Sequence, residues 1–503
     1  MSNKSHPIIV GAAQFTQHKH TLDPLDPLNL IAKACKIALN DAGAVNLKDF
    51  INSVYMVNIN SWSYEDAPEE LSKILCLKPA HKVYLPDGGD SPQMLVNRAA
   101  KAITSGKSQA ILITGGEASY SRYKAKKDKL NLNWPQWKDP KYMEGKLWNG
   151  INVFANKYKL KYPSVTYAIL ETAVRTASGR SLEEHRNYIG KIFEDFSNIA
   201  SNNAHAWTNC SYSAKEIITP TLNNRYITHP YTKLMCSNVF VDQSSALIMT
   251  SEDNAEKLKI DPKLWIYPMG GADLKNIFNI TQRPKLYNSP AAKEGVHLAL
   301  GQAGLKLDDI DLFDIYSCFP SIVEIIKNEL GIKEDDPRPL SITGGLPFFG
   351  GPWSNYSLHA IVSAVYLIRK NPLLKIMVIA NGGYNTKQSF GIYGTEPPVL
   401  LWGEQNNAEI QQSILAKQLP EPIEQANGKL TIEGYTITYD RTGMPKQGIV
   451  IGTLENNRRT IAFINAVPDI LIKLEKQELV GQKLPVYYDI NLDRNIINLK
   501  NWN

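Results

Sequence analysis

The stretch "AILITGGE" (Ala110 to Glu117) reads as a strand of apolar and β-branched residues that leaves through a Gly-Gly pair. It returns later as "IMVIANGGY" (Ile376 to Tyr384). Two more stretches return in the same order. "ACKIALNDAGAVNLKDFINSVYMV" is matched by "GVHLALGQAGLKLDDIDLFDIYSC", with Ala38-Leu39 and Ala42-Gly43 standing over Ala299-Leu300 and Ala303-Gly304. "PDGGDSP" is matched by "FFGGPWS" (Phe348 to Ser354). Ordered matches at near-constant offset point to duplication of one α/β unit.

In the first copy, "PIIVGAAQF" (Pro7 to Phe15) reads as a buried strand. "NLIAKACKIALNDAG" (Asn29 to Gly43) reads as a helix, with Ile31, Ala34, Ile37 and Ala38 in the helical period and Gly43 as its C-cap. "INSVYMVNI" is a further strand, and "SPQMLVNRAAKAITSG" a helix starting near Pro92. Alternating strands and helices argue an α/β fold with buried strands.

A long insertion, about 121–234, separates the copies. In it "SLEEHRNYIGKIFEDFSNIASNNAHAW" carries a capping box, Ser181 with Glu184, and a stripe of Tyr188, Ile192, Phe196 and Ile199 expected to face the core. "RYKAKKDK" (Arg122 to Lys129) reads as a solvated face rather than a phosphate site. After "YGTEPP" a linker, Leu415 to Gly428, leads to five short strands and one short helix, "PDILIKLEK", the pattern of a small OB-like β-barrel. Aromatics are not clustered among basic residues there, so a docking or ligand-covering module is expected rather than a nucleic-acid binder.

At 503 residues the chain needs several cores. The expected division is 1–255 with the insertion, 256–414, and 428–503. A net charge of +6 is small for this length and argues against a nucleic-acid or membrane-surface protein. The five cysteines are odd in number and none form a C-x-x-C pair, so no disulfide framework, no metal site and a reducing compartment are expected. "MSNKSHPIIVGAAQF" has too short an apolar run for a signal peptide, and no run is long enough to span a bilayer. A cytoplasmic, soluble protein without membrane insertion is the expectation.

In a duplicated α/β protein the strand ends of both halves meet at one cleft. Gly88 and Gly89, Gly350 and Gly351, and the loop with Asn381 and Gly382 would converge there. Cys318, between a strand and a helix, would either join them with a pKa lowered by nearby backbone N–H groups or pack as a small buried hydrophobe. Ser91 fits best as a cap for the helix at Pro92, and His359, about two turns past Gly351, as a core histidine.

Five ordered stretches carry a family resemblance: "AITSGKSQAILITGGEAS", "SNVFVDQSSALIMTSEDNAEKL" with Ser237, Asn238 and Asp242, "DLFDIYSCF", "GGLPFFGGPWSNYSLHA" and "VIANGGYNTKQSFGIYGTEPP". With them the chain resembles the thiolase superfamily from about Pro7 to Pro398. It is most similar to sterol-carrier-type thiolases and to thiolase-like proteins with an additional C-terminal domain. The resemblance implies two βαβαβαββ halves layered α-β-α-β-α. It also exposes departures. Gly89 stands where the acyl-accepting cysteine would be, Gly351 replaces the activating histidine, Ala380 the second cysteine and Tyr316 a further histidine. Cys318 alone is kept.

The resemblance therefore implies an acyl-CoA-handling enzyme of lipid or acyl-CoA metabolism, acetyl-CoA acetyltransferase-like but lacking the acyl-cysteine nucleophile. A coenzyme A thioester would be its substrate or ligand, with no covalently bound cofactor. Cys318 would be its acid/base group, and Gly88, Gly89, Ser91, Gly350, Gly351, Asn381 and Gly382 would cradle the thioester. A retro-aldol lyase acting through Tyr316 or Tyr356, and a non-catalytic acyl-CoA or lipid binder, are the alternatives. A monomer or homodimer without nucleic acid is expected.

Overall fold

The computed structural model describes residues 6–145 and 150–499. Residues 1–5 of the stretch weighed as a signal peptide, 146–149 of the insertion and 500–503 of the C-terminal module lie outside them. The first copy holds β1 (Pro7–Thr16), β2 (Ile51–Met56), β3 (His81–Tyr84) and β4 (Ala110–Ala118). The insertion contributes the short β5 (Tyr226–Thr228) and β6 (Tyr231–Thr232), and β7 (Asp242–Ser251) completes the copy. The strands pair in the order β1-β7-β4-β2-β3, antiparallel around β7 and parallel around β2. The second copy, β8 (Tyr267–Lys275), β9 (Leu312–Ile315), β10 (Ile376–Gly382) and β11 (Lys387–Gly394), pairs as β8-β11-β10-β9 with the same senses. The two matched strands, β4 and β10, hold equivalent places.

Among the described residues the second sheet has four strands, so the second half is one strand short of the expected pattern. Where a counterpart of β3 would stand, only Phe313 N–H to Pro339 O (3.3 Å) and Ile315 N–H to Leu340 O (2.9 Å) are made. Pro337 and Pro339 have no N–H to continue the ladder.

The helices that matter for the site are α1 (Pro27–Asp41), α2 (Ser91–Thr104), α3 (Pro163–Ser178), α4 (Leu182–Ser201), α5 (Pro290–Ala303), α6 (Pro320–Leu330) and α7 (Tyr356–Lys370). Between the sheets lie α2 and α7. Leu95, Val96, Leu358 and Val365 pack there against Ile113 of β4 and Val378 of β10. Outside the sheets, α1 lies on β1 and α5 on β8. Both approaches depend on a glycine. A Cβ on Gly11 would stand 2.4 Å from Ala38 O, and one on Gly270 would stand 2.2 Å from Ala299 O. Ala38 and Ala299 are the residues matched in the repeat, so the duplication extends to the packing. These layers give the expected α-β-α-β-α order.

Local readings shift by a residue or two. Helix α2 starts at Ser91, with Asp90 flanking it and no side-chain cap, so Ser91 is its first turn and not its cap. Gly43, at φ +67°, follows Ala42 at the end of α1. The capping box of Ser181 and Glu184 opens α4 as expected. Its buried face is His185, Ile189, Phe193, Phe196 and Ala200, whereas Tyr188, Ile192 and Ile199 are half-buried. The face is rotated because α4 turns the polar His185 inward to meet Glu171, which hydrophobic periodicity does not register. Arg122 to Lys129 is mostly exposed, as expected.

The C-terminal strands β12 (Gly428–Tyr439), β13 (Pro445–Leu454), β14 (Arg459–Asn465), β15 (Lys483–Asp489) and β16 (Arg494–Asn498) close into a five-stranded barrel, because β12 pairs with both β13 and β15. Leu430, Ile432, Tyr435, Val450, Ala462 and Ile497 are in its core. The insertion grips the barrel. Thr228 of β5 pairs with Thr438 of β12, and α3 runs beside it, buried from Val165 to Arg175. Thr172 Oγ1 accepts the N–H of Tyr435 at 2.9 Å and lies 3.0 Å from the Tyr435 carbonyl. None of the described helices is long and apolar enough to cross a membrane.

This grip predicts the behaviour of Thr172→Val, which keeps shape but leaves the Tyr435 N–H buried without a partner. It should lower the unfolding free energy in denaturant by about 1–3 kcal/mol, the usual cost of an orphaned buried donor. An unchanged transition midpoint would show that the Thr172–Tyr435 hydrogen bond carries no net stability.

Candidate active site

Four strand-end loops meet as expected, and a fifth element, α3, joins them. The Gly88–Gly89 turn precedes α2, Tyr316 to Cys318 follow β9, Gly350 and Gly351 precede α7, and Asn381 to Gly383 end β10. The loops are closed on one another. A Cβ at Gly89 would lie 2.4 Å from Tyr316 Oη and 2.5 Å from the Asn381 carbonyl oxygen. The position where a nucleophilic side chain would begin is thus taken by a phenol. Gly88 N–H donates to Ser354 Oγ at 3.1 Å, and the Gly89 carbonyl accepts from Ser357 Oγ. Lys387 Nζ donates to Asp87 O at 3.0 Å and pairs with Asp90 at 3.2 Å, across the mouth of the turn. The Asp90 carboxylate lies so close to Gly382 that a Cβ there would be 1.9 Å from it.

The opposite turn is equally engaged. Gly350 has φ +117°, and Gly351 donates its N–H to Asn238 O at 2.9 Å. A Cβ on Gly351 would stand 2.1 Å from Ser237 Oγ. The backbone donors of Gly88 and Gly351 are therefore spent on the protein itself and do not form an open cradle. Ser91, in the first turn of α2, is buried under Gly88.

Tyr167 of α3 fills the remaining space. Its hydroxyl donates to Gly383 O at 2.9 Å and accepts from Asn381 Nδ2 (2.8 Å) and Asn385 N–H (3.0 Å). Asn381 Oδ1 accepts in turn from Gln388 Nε2 at 2.9 Å. The Tyr167 ring stacks on Phe319 with 5.0 Å between centroids.

The expected acid/base groups are set against that role. Cys318 is half-buried, and its enclosure pushes the thiol up to about 12, with the neighbouring Tyr167 hydroxyl and nearby backbone N–H groups opposing only in part. The expectation of a lowered pKa fails because desolvation of the thiolate outweighs the backbone dipoles. Tyr316 is raised well above the usual phenol range by burial, and further by Cys318 and Asp90. Tyr356 is also raised well above it, by burial and then by Asp314. Its hydroxyl is fixed 2.6 Å from Thr343 Oγ1 and donates to Asp314 Oδ1 at 3.0 Å. Asp314 also receives the N–H groups of Ile342 and Thr343 at 3.0 and 3.1 Å. Tyr356 is thus the buried end of a structural network and not a base at the cleft. His359 is fully buried with Nδ1 2.9 Å from Gln14 Oε1, and burial lowers its pKa to about 3, so it is a neutral core histidine.

Sequence reasoning missed Tyr167, Asp90 and Lys387. Tyr167 sits in "SVTYAILET", an apolar helical run with no polar signal. Lys387 did leave one, as a charge opening an otherwise buried strand.

Residues 409–490 match the family described as "Thiolase-like protein type 1 additional C-terminal domain". Along 99% of both chains the fold is similar to that of a monomeric SCP2-thiolase like protein type 1 from Mycobacterium smegmatis, with 33% identity and a TM-score of 0.84. A further similarity is to sterol carrier protein 2 of Gallus gallus, 26% identical over 209 residues, which are 40% of this chain and 36% of that protein. Another is to an acetyl-CoA acetyltransferase of Syntrophomonas wolfei, 28% identical over 131 residues, 26% of this chain and 30% of that one. The chain thus spans about a third of the length of the curated relatives it matches.

Two outcomes test the closed site. Gly89→Ala should destabilise the fold by about 1–3 kcal/mol or more through overpacking, and by less in a Tyr316→Ala background. Equal cost in both backgrounds, by denaturant titration, would show that Tyr316 does not wall this position. Under iodoacetamide, the exposed Cys76 and Cys210 should label first. A thiol at about 12 is about 10⁻⁵ thiolate at pH 7, so Cys318 labelling should rise about tenfold per pH unit without a plateau below pH 10. Peptide mass mapping that finds Cys318 labelled fastest at pH 7 would contradict its desolvated state.

Proposed function

The chain belongs to the SCP2-thiolase-like protein type 1 family, and from that premise we propose that it binds an acyl-CoA thioester without turning it over. The observation that carries this reading is the wall around Gly89. A side chain at that position would collide with Tyr316 Oη at 2.4 Å, so no nucleophile is accommodated. Acyl transfer needs a thiolate, a base to form it and donors for the oxyanion. Gly89, Gly351 and Ala380 supply neither thiolate nor base.

Acyl transfer through Cys318 would require deprotonation of a thiol held at about 12. Retro-aldol cleavage would require a tyrosine lowered towards neutrality, and burial moves Tyr316 and Tyr356 the other way. What supports a thioester ligand is the family and the two-sheet cleft. The part of the cleft where the thiolase resemblance would place chemistry is closed by packing, and Tyr316 and Tyr167 would have to yield to a ligand that reached it. A role in lipid or acyl-CoA metabolism, as a monomer, fits this reading.

Titration calorimetry with acetyl-CoA, longer acyl-CoAs and free coenzyme A should give saturable binding. Intact mass should show no adduct, and acetoacetyl-CoA should not be thiolysed. A labile acyl adduct abolished by Cys318→Ala would install the acyltransferase instead. Release of an aldehyde or ketone from a β-hydroxyacyl-CoA would install the lyase. Failure of every CoA ester to bind would remove the proposal altogether.

A further inference from the structure

Away from the cleft, α3, α4 and α6 bring together Glu171, His185 and Glu324, all buried, with one ligand-capable atom of each within 4.8 Å of the others. The arrangement is directional. His185 Nε2 lies 2.7 Å from Glu171 Oε1 and 3.5 Å from Glu324 Oε1. The outer oxygens are held by other donors: Tyr231 Oη donates to Glu171 Oε2 at 2.6 Å, and Arg180 Nη1 to Glu324 Oε2 at 2.8 Å. Both inner oxygens are thereby aimed at the same point as the imidazole nitrogen. Glu324 is 99% buried, and its Oε1 has no hydrogen-bond partner.

Charge makes the same demand. Arg180 is shared between Glu324 and Glu334, and among the described residues no lysine or arginine pairs with Glu171. Two buried carboxylates facing each other need something positive between their inner oxygens. Burial accordingly raises both carboxyls, Glu324 to about 8. Either a shared proton or a cation would answer. A shared proton together with an Nε2–H donated to Glu171 accounts for the 2.7 Å contact; a cation would instead take the Nε2 lone pair, with the imidazole hydrogen on Nδ1, 3.4 Å from Arg180 Nη1.

We propose that Glu171, His185 and Glu324 form a site for a divalent transition cation such as Zn²⁺. One nitrogen and two carboxylate oxygens are a common donor set for this class of ion. Bonds of about 2.0–2.1 Å in a tetrahedron separate ligands by about 3.3 Å, so the longer observed edge already fits and the shorter opens by about half an ångström. Tyr231 and Arg180 act as the outer partners that fix carboxylate orientation. Glu171 and His185 also line a cavity of about 670 Å³, shared with Arg175, His229 and, from the C-terminal module, Glu475, which gives the ion an entrance and room for a water ligand. His185 binds as the neutral imidazole, which its burial favours by lowering its pKa to about 4. The ion would tie two insertion helices to α6 of the second thiolase half.

The test uses the full-length, untagged chain, stripped with chelator and titrated with Zn²⁺ and with Co²⁺. One equivalent should bind, Co²⁺ should give d–d bands of a nitrogen–oxygen site, and the melting temperature should rise with metal concentration. Glu324→Gln, which keeps the shape, and His185→Ala should each lower affinity at least tenfold and change the cobalt spectrum. No binding overturns the proposal, as does binding that survives Glu324→Gln or shows sulfur-to-cobalt charge transfer, which would place the metal on a cysteine. Metal-free protein that already shows a carboxyl proton shared by Glu171 and Glu324, unaltered by added metal, overturns it too.

Discussion

Helix α3 buries every residue from Val165 to Arg175, and this run includes threonine, tyrosine, glutamate and arginine. Such groups are tolerated inside a protein only when partners meet them. The rest of the molecule is arranged to supply those partners. On one side Tyr167 is held by Gly383, Asn381 and Asn385 at the end of β10. On another, Thr172 binds the backbone of Tyr435 in the barrel, and Arg175 pairs with Glu478 at 2.5 Å. Between them Glu171 meets Tyr231 and His185. A segment inserted between two duplicated halves thus couples the cleft, the barrel and a buried charged cluster. None of the three can shift far without stranding a polar group on this helix.

The same constraint explains why the cleft is more than a thiolase site with side chains deleted. Loss of a nucleophile alone would leave a void, and close-packed interiors do not keep voids cheaply. Here Tyr316 covers Gly89, Asp90 rests on Gly382, and Tyr167 occupies the nest beside Asn381. Each glycine now permits a close approach instead of exposing a backbone donor. Burial then keeps Cys318, Tyr316 and Tyr356 protonated, so packing and electrostatics act on the same residues.

Much of the frame was legible in the chain. The repeat was visible because β4 and β10 need the same apolar, β-branched run to lie buried between helix layers; in the packing its counterpart is that Gly11 and Gly270 must lack side chains where the carbonyls of Ala38 and Ala299 approach. The five barrel strands were visible through turn residues between short β-prone runs. Among the described residues the second sheet has four strands rather than the expected five, although Pro337 and Pro339 mark the place. The buried face of α4 was misplaced because His185 is buried through a charge partner and not through hydrophobicity. Tyr167 left no mark, since a tyrosine in an apolar helix is ordinary core until something polar is placed over it.

The chain's own residue pattern specifies the α/β duplication and the barrel module, and the resemblance to thiolases adds that glycine stands at Gly89 and Gly351 where a nucleophile and base would be. The duplication and the barrel depend on residue type and local period, which the chain states directly. Only the tertiary structure decided what fills the emptied cleft, which tyrosines are locked, and that Glu171, His185 and Glu324 meet. Those outcomes depend on contacts between residues far apart in the chain, where burial and electrostatic partners override anything local, and no single stretch carries that information.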